Sequence, residues 1–346
     1  MISDHRIPHL RTNALTGERV IVAPGRAERP LPSEQPLQAV TSRPIDRGCP
    51  FCPGNEEKTT AELYRIPGGR AGEGPGWRVR VVENKYPALG QLGGSHQALG
   101  RFWQIEPAVG RHEVIVETPA HDRELAGLGL EEVFEVMQAY RARFAAAAAD
   151  PRVQHVVVFR NQGRLAHASL VHPHSQLAGL PFVPPFVADV LERSRAHAAE
   201  SSTALLLEMV EEEVADGSRL VEGTERLATF VPFAAAHDHE VWIAPRYLPR
   251  RFDGVDDETL DQLGSALRRA LRALAEALGD PDYNYILHAP PLRNDAEGVL
   301  PWYVQIIPRQ SVGAGFEMGI GVRIVATAPE AAAEQLRSAL GKVAAV

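Results

Sequence analysis

The run His172-Pro-His174-Ser-Gln176 sets two imidazoles and a carboxamide at alternate positions. Alternate side chains on a strand share one face, so all three would look into one site. Just before it lies Asn161, then a loop of small residues from Gly163 to Ser169. Such a loop lets backbone N–H groups come close to a phosphate. An imidazole beside it can attack phosphorus and carry the group as a covalent phospho-histidine. The competing reading is a histidine pair that only caps a strand.

Two further groups could do chemistry. The chain has two cysteines, both in Cys49-Pro-Phe-Cys52, and Pro53-Gly54 follows. This is the spacing of a zinc knuckle. With no second C-x-x-C, two more ligands are needed, and His112, His121, His172 and His174 are the candidates. A free cysteine pair in a turn-rich segment is the alternative. Arg26 and Arg29, in Pro24-Gly-Arg-Ala-Glu-Arg-Pro30, could grip a phosphate bidentately.

Ordered elements must hold these groups in place. The chain has 346 residues, with 45% hydrophobic and 23% charged, which is ordinary globular usage. Its net charge of −8 argues against a nucleic-acid partner, though a small anionic ligand needs only a few local cations. Met1 to Thr12 has no apolar signal core, and no apolar run is long enough to span a bilayer, so a cytoplasmic protein without a membrane partner is expected. Short β-like runs at 19–23, 77–82 and 112–117 precede an amphipathic helix, Leu130 to Ala149, and a buried strand, Val156 to Phe159. One helical segment is expected from Pro184 to Ala215. Strands follow at 227–233 and 240–244, then a long helix from Asp257 to Leu278, strands at 285–287 and 303–307, and a closing helix from Glu330 to Leu340.

The pattern repeats. His112-Glu-Val-Ile-Val-Glu-Thr-Pro119 echoes His239-Glu-Val-Trp-Ile-Ala-Pro245, and each is followed by a helix and a strand. The offset is 127 residues, whether taken from 112 to 239 or from 161 to 288. Two copies of a strand–helix–strand–strand unit are expected, divided as 1–180 and 181–346. The second copy has Trp302-Tyr-Val-Gln305 where the first has its histidines, so only the first can be a histidine site.

Together these stretches resemble the galactose-1-phosphate uridylyltransferases of the histidine triad superfamily. The resemblance runs nearly end to end, through 15–22, 49–56 (CPFCPGNE), 82–88 (VENKYPA), 112–121 (HEVIVETPAH), 169–176 (SLVHPHSQ), 239–245, Ile306 to Arg309 and Ala314 to Glu317. It implies an α+β fold of two histidine-triad-like units in tandem, with antiparallel sheet flanked by helices. It also implies that His174 is the nucleophile, Gln176 a hydrogen-bond donor to the phosphoryl group, and Ser169 and Asn161 residues lining it. Cys49, Cys52, His121 and His172 would hold one structural zinc. Arg26 and Arg29 would bind the sugar phosphate, Asn84 and Tyr86 would lie near the nucleoside, and Glu317 near the sugar hydroxyls. A homodimer is implied as well. The chain departs from the family at Pro301 and Tyr303, where a second metal's His-x-His would stand, so that site is expected to be absent. His167 replaces a common glycine, and Lys85 replaces a frequently acidic residue.

The expected activity is uridylyl transfer between UDP-glucose and a hexose 1-phosphate, by two displacements through His174. Gln176, Ser169 and loop amides would stabilise the charge at phosphorus. The alternatives are a phosphorylase or hydrolase of nucleotide sugars or dinucleoside polyphosphates, and a non-catalytic nucleotide-binding relative.

Overall fold

A computed structural model describes residues 7–28, 45–68, 76–90, 97–248, 251–293, 298–310 and 315–344. In chain order the strands and helices are β1 (His9–Thr12), β2 (Arg19–Val22), β3 (Glu62–Pro67), β4 (Trp77–Glu83), β5 (Gln97–Ala98), β6 (Gln104–Ile105), β7 (Arg111–Val116), α1 (Leu130–Ala148), β8 (His155–Gln162) and β9 (His174–Leu180). Then come α2 (Pro185–Ser201), α3 (Leu205–Asp216), β10 (Leu220–Gly223), β11 (Leu227–Phe230), β12 (Val241–Pro245), α4 (Asp257–Leu278), β13 (Tyr283–His288), β14 (Tyr303–Pro308), α5 (Gly315–Ile320), β15 (Arg323–Val325) and α6 (Pro329–Ala344).

Ten strands form one sheet in the order β10-β11-β12-β14-β13-β8-β9-β7-β4-β3, and every pairing is antiparallel. The order reads the same outward from its centre. β8, β9, β7, β4 and β3 are answered on the other side by β13, β14, β12, β11 and β10. The tandem units expected from the repeat are thus two half-sheets joined edge to edge at β8–β13. Joining them removes two exposed sheet edges.

One face of the sheet is covered by α1, α4 and α6. Val133, Val136, Met137 and Phe144 of α1 interlock with Leu263, Leu267, Leu271 and Leu274 of α4, all buried. The α4 sequence fits its role, with leucines and alanines recurring at three and four and Asp256 capping the first turn through Thr259 N at 2.8 Å. On the other face, α2 and α3 lay Val190, Leu191, Leu206 and Val210 over Phe230, Trp242 and Tyr303 of the second unit. The corresponding face of the first unit carries the cleft described below.

Two boundaries differ from the sequence reading. The single helical segment expected at 184–215 is two helices, because Ser202 ends α2 with φ +64°, a left-handed conformation that a helix cannot continue. The second histidine-bearing strand begins at His174, since Pro173 has no N–H to offer a ladder.

Candidate active site

His174 is the first residue of β9, in the middle of the first half-sheet. Its ring is buried, and it forms the floor of a cleft of about 370 Å³ lined also by Phe51, Asn84, Lys85, Tyr86, Ser169 and Gln176. Strand register accounts for the gathering. Gln176 pairs with Val114 and Phe159, and His174 pairs with Val116, so His174, Gln176 and the end of β8 at Asn161 share the open face.

Hydrogen bonds fix the donors and acceptors. His174 Nδ1 lies 2.8 Å from the carbonyl of His172. A carbonyl only accepts, so Nδ1 carries the hydrogen and Nε2 keeps its lone pair. Burial lowers the pKa of His174, which favours this neutral, nucleophilic form. The amide side chain of Gln176 is oriented in the same way. Ala88 N donates to His112 Nδ1 at 3.0 Å, so His112 Nε2 donates to Gln176 Oε1 at 2.9 Å. Asn84 Nδ2 reaches the same oxygen at 3.3 Å. With Oε1 taken, Gln176 presents its NH₂ group as donor. His112, a zinc candidate on composition, is therefore an orienting residue. Only its paired register with β9 reveals this, because the sequence spacing of 64 residues carries no signal.

The loop before β9 is held from the second unit. Asp282 Oδ2 accepts from Leu165 N at 2.6 Å, and Asn284 Nδ2 donates to Asn161 Oδ1 at 2.8 Å and to the Ala166 carbonyl at 3.1 Å. Gly163 sits at φ +83°, and a Cβ there would meet Asp282 Oδ1 at 1.8 Å, so the tight turn requires glycine. His167, at the position where the family often has glycine, adopts φ +61°, which is uncommon for a side-chain-bearing residue.

Cys49, Cys52, His121 and His172 converge beside this strand. One ligand atom from each lies within 4.8 Å of all the others. Cys52 Sγ is 3.4 Å from His121 Nδ1 and 3.6 Å from His172 Nδ1. Tetrahedral zinc, with bonds of about 2.0–2.3 Å, has ligand–ligand edges of roughly 3.4–3.8 Å, so the geometry fits. The chemistry fits too. His172 Nε2 donates to the Thr118 carbonyl at 2.8 Å, which turns the bare Nδ1 toward the sulfurs. Phe51 N points at Cys49 Sγ and Asp46 N at Cys52 Sγ. Without a cation, burial pushes the Cys49 thiol up to about 11 and the His172 imidazole down to about 4. A divalent cation favours thiolate and neutral imidazole alike. Phe51, between the cysteines, sets its ring 5.4 Å from that of His174, so the knuckle packs directly on the cleft.

Other candidates are placed less centrally. Tyr86 is 83% exposed at the rim of the cleft. Arg26 is exposed on the 3-10 turn Pro24–Glu28 and is not among the residues that line the His174 cleft. Arg29 lies outside the described residues. Glu317 lines a separate cavity. In the second unit Tyr303 stands near the place that histidine takes in the first, and its ring stacks on His288 at 4.6 Å and 16°. No helix among the described residues is long and apolar enough to cross a membrane.

Comparison with known proteins agrees with this architecture. Residues 1–184, more than half of the chain, match the model of the galactose-1-phosphate uridyl transferase N-terminal domain. The chain is 33% identical to an ADP-glucose phosphorylase of Arabidopsis thaliana, over 96% of this chain and 93% of that protein. It is 28% identical to a galactose-1-phosphate uridylyltransferase of Cryptococcus neoformans var. neoformans serotype D, over 98% and 91%. The crystal structure of an Arabidopsis thaliana ADP-glucose phosphorylase with bound ADP-glucose superposes with a TM-score of 0.81 at 31% identity, covering 96% of this chain and 98% of that one. The chain belongs to the galactose-1-phosphate uridylyltransferase family of nucleotidyl-transferring enzymes.

Proposed function

We propose that the protein transfers a nucleotidyl group from a nucleotide sugar to a phosphate-bearing acceptor by way of His174. The observation that carries this reading is the bare Nε2 of His174 in a cleft that Gln176 also lines, with the carboxamide oxygen of Gln176 taken and its NH₂ group left to donate. Nε2 attacks the α-phosphorus, an N–P bond forms, and the bond to the sugar phosphate breaks. The sugar 1-phosphate leaves with the electron pair. An acceptor phosphate oxygen then attacks the same phosphorus and frees His174. Gln176, Ser169 and loop amides hold the charge on the phosphoryl oxygens. By the resemblance, Asn84 and Tyr86 serve the nucleoside, Arg26 and Arg29 bind the sugar phosphate, Asn161 lines the phosphoryl group beside Ser169, and Glu317 serves the sugar hydroxyls. Cys49, Cys52, His121 and His172 hold one zinc, which stiffens the wall behind His174.

With a hexose 1-phosphate as acceptor the reaction is the uridylyltransferase exchange. With inorganic phosphate it is phosphorolysis, a reading favoured by the 33% identity to the ADP-glucose phosphorylase. The resemblance also supports a homodimer, here proposed as cytoplasmic, whose subunits divide into functional units at 1–180 and 181–346.

The test is intact-mass spectrometry after brief incubation with UDP-glucose or ADP-glucose. A gain of one uridylyl or adenylyl group, absent in His174→Gly, is expected, and its absence from the wild type overturns the reading. Adding inorganic phosphate or galactose 1-phosphate to the labelled protein then identifies the acceptor by which one discharges it.

A further inference from the structure

A second cavity, of about 380 Å³, opens on the same face, beyond the loop that carries Ser169. His167, His237, Arg309, Glu317 and Arg323 line it. It is joined to the His174 cleft by side chains. Arg309 Nε donates to Asn284 Oδ1 at 2.5 Å, and Asn284 Nδ2 donates to Asn161 Oδ1 at 2.8 Å. Asn284 pairs with Asn161, and β8 is the neighbour of β9, so Asn284 lies two strands from His174. At the usual spacing that is about 10 Å. One phosphate and one pyranose ring span a comparable distance.

The charge of this cavity is unusual. Arg309 and Arg323 are close enough to act on one another and on His237. Among the described residues the Arg309 side chain makes a single hydrogen bond, to a neutral amide, and the Arg323 side chain makes no hydrogen bond or ion pair. Asp238 Oδ1 is occupied by the amides of Ala326 and Thr327, at 2.9 and 2.6 Å. Glu240 is buried, its Oε2 3.9 Å from His237 Nδ1, and its Oε1 accepts from Trp242 Nε1 and Gln305 Nε2. Glu317 shares the lining, and Glu240 acts on Arg309. Two guanidiniums facing one cavity repel until an oxyanion sits between them, and each can grip one bidentately.

We propose that this cavity receives an oxyanion, carboxylate or phosphate, borne by the sugar at the end remote from its 1-phosphate. The substrate class is then an acidic sugar 1-phosphate and its nucleotide derivative. The proposal rests on the reading that His174 handles the α-phosphorus beside Asn161, with the sugar extending past it toward Glu317. It is independent of which nucleobase is bound.

Isothermal titration of the full-length protein tests it, with glucose 1-phosphate, glucuronate 1-phosphate and glucose 1,6-bisphosphate as probes. We expect at least one acidic probe to bind about tenfold or more tighter than glucose 1-phosphate. The two acidic arms identify the carboxylate or the phosphate as the group recognised. In Arg323→Gln and in Arg309→Gln the preference collapses, whereas Arg272→Gln, on the helix-covered side, keeps it. Equal affinity for all three probes, or a preference that survives both substitutions, overturns the proposal. The mass-spectrometric label on His174 is read separately, so a failed label with an intact preference indicts the chemistry and not the cavity.

Discussion

Asn284 of the second unit donates through Nδ2 to Asn161 Oδ1 of the first, 2.8 Å away, across the seam where the two half-sheets join. The direction of this bond is imposed from further along, because Arg309 Nε donates to Asn284 Oδ1. Asn161 is therefore held with its oxygen toward the second unit and its NH₂ group toward the site. The unit without a histidine motif thus sets the polarity of a side chain in the unit that has one.

Replacing Asn284 with Asp should invert that polarity. A carboxylate facing Asn161 Oδ1 repels it, the amide turns, and an oxygen faces the phosphate instead of a donor. We expect kcat/KM to fall about 10–100-fold, equivalent to about 1.4–2.7 kcal/mol. Steady-state kinetics beside a thermal melt checks this. Wild-type kcat/KM in Asn284→Asp makes the contact a packing feature only.

Metal content offers a second check. Purified protein should carry one zinc per chain by elemental analysis, and Cys52→Ser should lose it. Phe51 bridges the knuckle to the His174 ring, so activity should drop about 10–100-fold with the metal, the range for groups that orient a site from behind. A metal-free protein with full activity would sever the link between knuckle and cleft.

The chemistry was more legible than its supports. The alternation of His174-x-Gln176 and the Cys49/Cys52 spacing are local signals, and both survive folding because a strand and a knuckle are local structures; His172 does not share that face, because the strand starts only after Pro173 and its ring turns to Cys52. The half-sheet repeat was legible for the same reason: each unit carries its own hydrophobic periodicity. His112, Asp282, Asn284 and Arg309 were not legible as site residues. They act across separations of 25 to 123 residues in sequence, and polar residues at strand ends have no periodicity to mark them. The break at Ser202 was hidden because helix-compatible residues flank it on both sides.

Stability should fall on acidification. Burial holds His155 and His288 neutral, with pKa pushed down to about 4 in each. Unfolded histidine titrates near 6.5, so below that pH the unfolded chain takes up protons that the folded one refuses. Stability present above pH 6.5 is thus lost between about 6.5 and 4, by up to about 3 kcal/mol for a fully buried ring. Glu240 works in the opposite sense, since burial raises it to about 7 and its protonation stabilises the fold as pH drops from 7 toward 4.5. Two histidines outweigh one carboxyl, so the net change is a loss. Urea midpoints measured from pH 7.5 to 4.5 should decline, and His155→Asn should flatten the slope. A midpoint independent of pH would contradict this assignment.

Beneath β9 lies a buried charge cluster. Arg160 is fully buried; its Nη1 meets Glu117 Oε2 at 2.6 Å, and its Nη2 meets Glu124 and, at 3.1 Å, Gln162 Oε1. Tyr140 from α1 and Tyr285 from β13 close over Glu117 Oε1 at 3.1 and 3.3 Å, and the Tyr140 hydroxyl lies 2.7 Å from Ser175 Oγ, next to His174. Arg160→Met removes the cation and strands the Glu117 carboxylate in a dry interior. Breaking such a pair from one side costs about 3–5 kcal/mol, most of it the penalty of the unpaired charge left behind. Arg160→Met combined with Glu117→Gln should therefore be more stable than Arg160→Met alone, because a neutral amide replaces the orphaned carboxylate. Denaturant unfolding of the two single variants and the double variant measures the coupling. If the double variant is the sum of the singles, the cluster holds β8 and β9 by packing alone and its charges contribute nothing to one another.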